Sequence, residues 1–335
     1  MKFKLFFFHI LVISSSLFAQ ENQSKSDTLS VDKEKKLSLT VDIVSRYLWR
    51  GQSWGGNYVA VQPTIEYAVT PKLTLGFWAT TNFKNDYFYP DGVTSGKGYQ
   101  ETDFYVTYQV KDFLQFQIWD YYWPSVEKVE GVDNSFFNYG KDGVKTVDAM
   151  LYFDFSEGYK YPFNATISTL VAGNDFRYDS NDENPKQNFT TYLELGYTFT
   201  LFEKSSMKAL QGIELDLVIG SVLNNKAGYY SYADYDKVSF CNLGIKATKE
   251  IDLGKGITMP LSLNYVHNGA KENTETFGKN FLVAGISLAT NKKLQMKIWS
   301  FLFLCRFSIK VKLGSIYNFH IDKIARFYIE FCSVN

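Results

Sequence analysis

The sequence has few of the residues that build redox, disulfide and metal sites. Its 335 residues include 3 cysteines and 3 histidines. Cys241, Cys305 and Cys332 are widely spaced and form neither a metal-binding pattern nor an evident disulfide framework. There is also no His-Glu-x-x-His and no phosphate-binding glycine-rich loop. We therefore expect no cofactor, no bound metal and no enzymatic activity.

Long apolar runs are missing as well. A transmembrane helix needs about 18 or more continuous apolar residues, and the best candidate after the N-terminus, 298–305, is far shorter. Residues 1–19 combine two lysines, a short apolar run and a Leu-Phe-Ala end, which is typical of a cleaved secretory signal peptide. The polar residues 20–36 have no apolar periodicity and are expected to form a periplasmic lead-in.

Most of the chain also lacks an excess of positive charge. The 35 basic and 35 acidic residues cancel overall, but basic residues dominate at both ends. Residues 20–290 consequently carry a net charge of about −8. Nucleic acid is not an expected partner, because binding to phosphates needs a basic surface.

Aromatic residues are abundant, at 18% of the total, and apolar residues recur with a period of two. In 72–83, for example, Leu73, Leu75 and Phe77 alternate with polar or small residues, as in a β-strand with one apolar face. The alternation predicts twelve strands, each long enough to cross a bilayer when tilted, which takes about 9–11 residues. They lie near 37–49, 58–69, 72–83, 99–110, 113–123, 144–156, 161–172, 189–200, 207–219, 236–248, 256–267 and 279–290.

The links between these strands alternate between long and short. Short links such as 70–71 and 111–112 follow every second strand, and longer links such as 84–98 and 124–143 follow the others. An outer-membrane barrel has short periplasmic turns and longer outside loops, whereas a soluble sandwich has no reason for this rhythm. The predicted fold is all-β, an antiparallel transmembrane β-barrel of about 12 strands covering 37–290.

Charges on the lipid face of such a barrel would be costly, so the predicted strands should turn their charges into the lumen. The candidate pore-lining residues are Asp42, Arg46, Arg50, Glu66, Asp103, Asp148, Asp154, Glu194, Glu214 and Asp216. The acids could pair with bases and plug the lumen, or line a wetted lumen that favours cations and neutral polar solutes. Arg46 and Arg50 are expected on the inward face of the first strand. They could form a constriction that positions an anion. Alternatively, they could form an ion pair with an acid on a neighbouring strand.

Two strand-like runs end in Asp, aromatic residues and Pro, at 86–90 and 120–124. Tyr and Trp favour the headgroup layer because they have an apolar ring and a polar tip. We interpret these residues as an outer aromatic girdle, with sugar stacking at the pore mouth as the alternative. Its predicted members are Tyr87, Tyr89, Trp119, Tyr121, Tyr122 and Trp123.

The segment "VDIVSRYLWRGQSWGGNYVAVQPTIEYAV", followed by "LGFWATTNF" and "DYYWP", resembles the TorF-type porin family of Gram-negative, Bacteroidetes-like bacteria. The resemblance spans about 37–290 and is most specific at 41–83 and 113–124. It implies an outer-membrane location after export, a channel-like role and no catalytic residues. The implied partners are outer-membrane lipid and lipopolysaccharide, the barrel-insertion machinery and a small solute.

Residues 291–335 depart from this pattern, because a barrel of this kind usually ends on a terminal aromatic residue. This atypical basic tail is either a non-native extension or a source of extra strands. The predicted function is passive diffusion of small polar solutes or cations through a narrow, acidic-lined lumen. Alternatives are a non-conducting structural or adhesion barrel that acts through its outer loops and, as a minor one, an outer-membrane lipase using His267.

Overall fold

The computed structural model describes residues 36–82, 98–125, 128–177, 185–224, 227–230, 239–253, 258–270, 274 and 278–289. Almost all regular structure in these ranges is β-strand, as the period-two alternation predicts. The elements are β1 (Leu37–Val44), β2 (Ala60–Thr70), β3 (Leu73–Asn82), β4 (Gln100–Lys111), β5 (Leu114–Tyr122), β6 (Lys145–Asp154), α1 (Phe155–Tyr159), β7 (Phe163–Gly173), β8 (Phe176–Arg177), β9 (Lys186–Gln187), β10 (Thr191–Leu201), β11 (Ile213–Val222), β12 (Ser239–Asp252), β13 (Thr258–His267) and β14 (Asn280–Ala289).

Twelve of the strands form one closed antiparallel barrel. Each pairs with its neighbours along the chain, and β1 pairs with β14 to complete the ring, with Thr40 opposite Ala289 and Val44 opposite Gly285. The short strands β8 and β9 form a separate two-stranded sheet within one of the long links. Closure leaves the barrel strands without an unpaired edge, and the predicted 12-stranded antiparallel barrel is confirmed.

The two ends of the barrel differ in their connections. Links 71–72, 112–113, 155–162, 202–212 and 253–257 lie at one end, which we call the turn end. Links 45–59, 83–99, 123–144, 174–190, 223–238 and 268–279 lie at the other, which we call the loop end. Every link at the loop end is longer than every link at the turn end, which is the asymmetry of a barrel that spans a membrane.

The outward face of the barrel is apolar. Leu75, Leu263 and Leu282 have 46%, 49% and 65% of their surface exposed, and they belong to a larger set of exposed Leu, Val, Ile and Phe residues on the strands. Inward positions on the same strands hold buried polar residues such as Gln62 and Asp103. This is the reverse of a soluble protein and places a hydrocarbon solvent around the barrel.

Strand boundaries differ from the prediction at a few places. β1 ends at Val44, so that 45–49 belong to the first long link instead of the strand. β12 extends to Asp252, and the short helix α1 was not predicted; Asp154 caps it by accepting a hydrogen bond of 2.9 Å from the Ser156 backbone N–H. The signal peptide, nearly all of the lead-in and the tail 291–335 lie outside the described residues.

Among the described residues, no helix is long and apolar enough to cross a membrane.

Candidate functional site

The first long link turns into the lumen, and its tip is a tight turn. Trp49 and Gln52 exchange backbone hydrogen bonds of 2.7 and 2.9 Å, and Arg50 and Gly51 between them have φ of 48° and 83°. Two central residues with positive φ correspond to a type I′ turn, which favours Gly at its second position. A Cβ at Gly51 would lie 1.8 Å from the Cys241 carbonyl oxygen, so the tip also needs Gly in order to approach β12.

Arg50 crosses the lumen from this tip and binds to the opposite wall. Its Nη2 lies 2.8 Å from Asp148 Oδ2 on β6 and 2.6 Å from Ser168 Oγ on β7, and its Nη1 donates to the Tyr230 hydroxyl at 3.2 Å. The Arg50 and Asp148 side chains are only 5% and 0% exposed. Burial alone lowers the pKa of Arg50, but Tyr230 and Asp148 outweigh burial and raise it, so the guanidinium stays charged.

Aromatic rings enclose this guanidinium on two sides. Its Cζ lies 4.7 Å from the ring centre of Trp49 and 4.6 Å from that of Tyr192 on β10. Tyr230 stacks on Trp49 at 5.5 Å and on Tyr192 at 6.1 Å. We call residues 47–54 together with 227–229 the plug, and we call Asp148, Ser168, Tyr192 and Tyr230 the guanidinium cradle.

A second group of aromatic residues fills the lumen on β3 to β5. Tyr105 and Trp119 stack with their ring centres 3.8 Å apart, and Trp119 Nε1 donates to Gln117 Oε1 at 2.8 Å. Gly76 makes room for this stack, because a Cβ there would lie 2.0 Å from the Tyr105 ring. Together with rings of the plug, Tyr105 and Trp119 belong to one buried aromatic cluster inside the described part of the barrel.

The turn end of the lumen is more open. A cavity of about 390 Å³ lies there between β10, β11, β12 and β13, and Glu214, Glu250, Asp252 and Thr248 contribute to its lining. Asp216, which accepts a hydrogen bond of 2.7 Å from Thr198, lies further along β11 on the same face. The lumen therefore has a packed aromatic half and an acidic, accessible half.

The eight predicted carboxylates all lie on inward faces, but most of them make local contacts. Glu66 Oε1 accepts from the Tyr105 hydroxyl at 2.8 Å, Asp103 Oδ1 from the Tyr122 N–H at 3.3 Å, and Glu194 Oε2 from Asn242 Nδ2 at 2.9 Å. Asp42 is 1% exposed and Asp154 caps α1. Glu214 and Asp216 lie in the accessible half.

Arg46 and Arg50 do not share a strand face, because β1 ends before both of them. Arg46 is half-buried in the first long link, where its Nη2 donates to Asn57 Oδ1 and its guanidinium lies 5.1 Å from the Phe281 ring. Burial lowers the pKa of Arg46. Arg50 forms an ion pair, the second of the two alternatives, but across the lumen instead of with an adjacent strand.

The predicted aromatic girdle is wrong for Trp119, Tyr121 and Trp123. Trp119 and Tyr121 are 1% and 4% exposed and point inward, where the Tyr121 hydroxyl donates to Asp148 at 3.2 Å. Trp123 packs against Tyr229 of the plug, with ring centres 5.9 Å apart. The physical reason is strand parity: Trp119 and Tyr121 alternate with outward Ile118 and Asp120, so they share the inward face of Gln117.

Tyr122 does lie on the outer wall, under a loop that folds back over it. Its hydroxyl donates to the Asn134 carbonyl at 2.8 Å, and its ring contacts Phe136 at 5.0 Å. The same loop covers Lys145, which forms an ion pair of 2.6 Å with Asp120 and is 0% exposed. Tyr87 and Tyr89 lie outside the described residues.

Sequence reasoning missed the residues that hold Arg50, because Ser168, Tyr192 and Tyr230 carry no local motif. It also missed that residues 51–55 match the spacing Gly-x-Ser-x-Gly. In a hydrolase this motif needs a strand-to-helix turn, whereas here it follows a loop tip. The Ser53 hydroxyl donates to the Gly56 carbonyl at 3.0 Å, and His267 Nδ1 lies 2.8 Å from Asn280 Oδ1.

The sequence matches no family model and no curated protein. Among solved structures, the chain is similar to an outer-membrane channel from Pseudomonas putida F1, with 12% identity over 76% of this chain and 94% of that chain and a TM-score of 0.39. It is also similar to OmpF of Salmonella typhi in complex with daunomycin, with 8% identity over 76% and 97% and a TM-score of 0.33. OprD of Pseudomonas aeruginosa has 11% identity over 76% and 65% and a TM-score of 0.31. Scores and identities at this level carry no argument about function.

Proposed function

We propose that the chain is a gated porin-like channel for small polar or cationic solutes in the outer membrane of a Gram-negative bacterium. The observation that carries the proposal is the division of the lumen. The turn end holds an accessible acidic cavity, and the loop end is closed by a tip that belongs to a link between strands. A link of this kind can leave the lumen without breaking the ladder of barrel hydrogen bonds.

The preference for cations follows from the charge of the inward face. Glu214, Glu250 and Asp252 at the cavity create a negative potential, and the apolar wall around a lumen focuses it. Lys246, opposite Asp216 in the register of β11 and β12, compensates for one acid only. Lys249 also lines the cavity, so its described lining combines three acids with one base. This excess of acids favours cations over anions.

The proposed location in the outer membrane requires export across the inner membrane and insertion of the barrel. Residues 1–19 act as the signal peptide, 20–36 as the lead-in, and the insertion machinery receives the barrel of 37–290. Lipopolysaccharide and lipid are then the partners of the outward face. The apolar outer wall and the resemblance to TorF-type porins support this address.

Conductance in a planar bilayer tests the function directly. The mature chain, the Arg50→Ala variant and the Arg46→Ala control would be refolded, and folding would be checked by heat-dependent gel mobility. We expect rare, small openings of the unmodified chain and of Arg46→Ala, and frequent cation-selective steps of Arg50→Ala. A set of folded barrels that all stay electrically silent would refute the channel, and equal opening of all three would refute the gate.

The second candidate is a non-conducting structural or adhesion barrel, and the cluster of buried aromatic rings inside the barrel favours it. Tyr105, Trp119 and the plug rings fill space that an open pore would leave to water. The same bilayer experiment separates the two candidates. We do not propose lipase activity, because the contact of His267 with Asn280 is not a contact with a nucleophile.

A further inference from the structure

The guanidinium cradle has the composition of a receptor site for a cation. Asp148 supplies a buried carboxylate, and Ser168 and Tyr230 supply hydroxyl oxygens, all within 3.2 Å of the Arg50 nitrogens. Tyr192 supplies an aromatic face at 4.6 Å from Cζ. Charge-assisted hydrogen bonds combined with a stacked ring are the means by which proteins recognise guanidinium groups.

The cradle belongs to the barrel wall and to a distant link, whereas the cation in it belongs to the plug. Asp148, Ser168 and Tyr192 lie on β6, β7 and β10, and Tyr230 lies in the link between β11 and β12. Arg50 alone comes from the first long link. If Arg50 withdrew, the wall would retain an anionic, aromatic pocket that faces the lumen and has the size of one guanidinium group.

We infer that the cradle is a binding site for the guanidinium group of a solute, and that Arg50 occupies it as an intramolecular substitute. A solute that carries such a group competes with Arg50, and its binding releases the tip of the plug. This inference rests on the proposed channel function and names the class of solute that opens it.

The geometry favours a guanidinium over an ammonium ion. One nitrogen, Nη2, reaches both Asp148 and Ser168, and the second, Nη1, reaches Tyr230. A planar fork satisfies these acceptors together while its face stacks on Tyr192, but a compact ammonium point charge cannot do both. Because Arg50 is tethered close to the cradle, its effective concentration is high, and only solutes at substantial concentration displace it.

Chemical rescue of Arg50→Ala tests the site itself. Binding of methylguanidinium to the refolded full mature chain would be measured by saturation-transfer NMR, with methylammonium as the competing probe. We expect Arg50→Ala to bind methylguanidinium and Arg50→Ala/Asp148→Asn to bind at least tenfold more weakly. The unmodified chain and Arg46→Ala should bind only at far higher concentrations, because the probe must first displace Arg50. Equal binding by the single and double variants, or equal affinity for methylammonium, would overturn the inference.

A second measurement keeps the test decisive if Arg50→Ala does not fold. Cys241 is 0% exposed beneath the tip, so a water-soluble thiol reagent should label it only when the tip leaves. In a chain that retains Arg50 and has Cys305→Ser and Cys332→Ser, methylguanidinium should increase the labelling rate at least tenfold, and methylammonium should not. Unchanged labelling would refute displacement. Binding of methylguanidinium without conductance would refute the channel but support the binding site. Conductance without binding would support the channel but refute the binding site.

Discussion

The ion pair between Arg50 and Asp148 allows a quantitative test of the closed plug. Asp148→Asn keeps the shape of the side chain but removes its charge, so a guanidinium that is 5% exposed loses its counter-ion. Removing one partner of a buried pair costs about 3–5 kcal/mol. The Asn oxygen still accepts a hydrogen bond, which favours the lower end of this range.

This cost should appear as opening of the plug, because the barrel ladder does not involve the Arg50 side chain. At about 1.4 kcal/mol for each factor of ten, a loss of about 3 kcal/mol raises the ratio of open to closed plug on the order of a hundredfold. Labelling of Cys241 in the Cys305→Ser, Cys332→Ser chain should accelerate by the same factor when closing is faster than labelling.

Ser168→Ala is the matched control at the same site. It removes a neutral hydroxyl that accepts from Arg50 at 2.6 Å and donates to Asp148 at 2.6 Å, and a hydrogen bond to a charged group contributes about 1.5–3 kcal/mol. Because the Asp148 carboxylate stays beside the guanidinium, we expect a cost at the lower end of this range. Labelling should then be roughly tenfold faster, below the effect of Asp148→Asn. Equal rates in all three folded chains, or a larger effect of Ser168→Ala, would refute an ion pair that holds the plug closed.

Three further predictions concern the tip, the outer wall and a loop. Gly51→Ala should release the plug, because the new Cβ would clash with the Cys241 carbonyl and because the backbone φ of 83° at this position is strained for alanine. We expect faster labelling of Cys241 in a folded barrel. An unchanged labelling rate would contradict the close packing of the tip against Cys241. Leu263→Lys on the lipid face should destabilise the barrel in urea titrations in vesicles by about 2–4 kcal/mol, whereas inward Ser262→Lys should cost much less. Hydrogen bonds from Ser135 and from the Asn138 amide hold the pKa of Asp133 below its usual range. The Asp133 carboxylate therefore contributes to loop order above the pKa of the unfolded state, and this contribution is lost as the pH falls through the pKa of the folded state. The chemical shift of the Ser135 amide in NMR should titrate with a midpoint below about 3.9. Asp133→Asn should abolish this transition.

Strand parity made the barrel predictable from the sequence. Leu73, Leu75 and Phe77 alternate with Thr74 and Gly76, and this pattern determines both the strand and the face that meets lipid. The same parity, applied to 116–122, assigns Trp119 and Tyr121 to the inward face. The prediction of a girdle failed there because it followed the general preference of these residue types for interfaces instead of their position in the alternation.

The guanidinium cradle was not predictable in the same way. Asp148 and Arg50 were both expected in the lumen, but their contact depends on a link that turns inward after Val44, and no periodicity marks that turn. The partners of Arg50 lie 98, 118 and 180 residues away along the chain. Only the Gly after Arg50 gives a local signal, because a tight turn with two positive φ angles favours it.

These separations also determine the order in which the molecule assembles. Arg50 enters the lumen from the first link, but its cradle requires β6, β7 and β10 and the link after β11. Contacts between segments so far apart form late, because the long intervening chain must be ordered first. The tip of the plug therefore cannot dock until these wall segments are in place. Until then, the forming wall surrounds a lumen that Arg50 has not sealed.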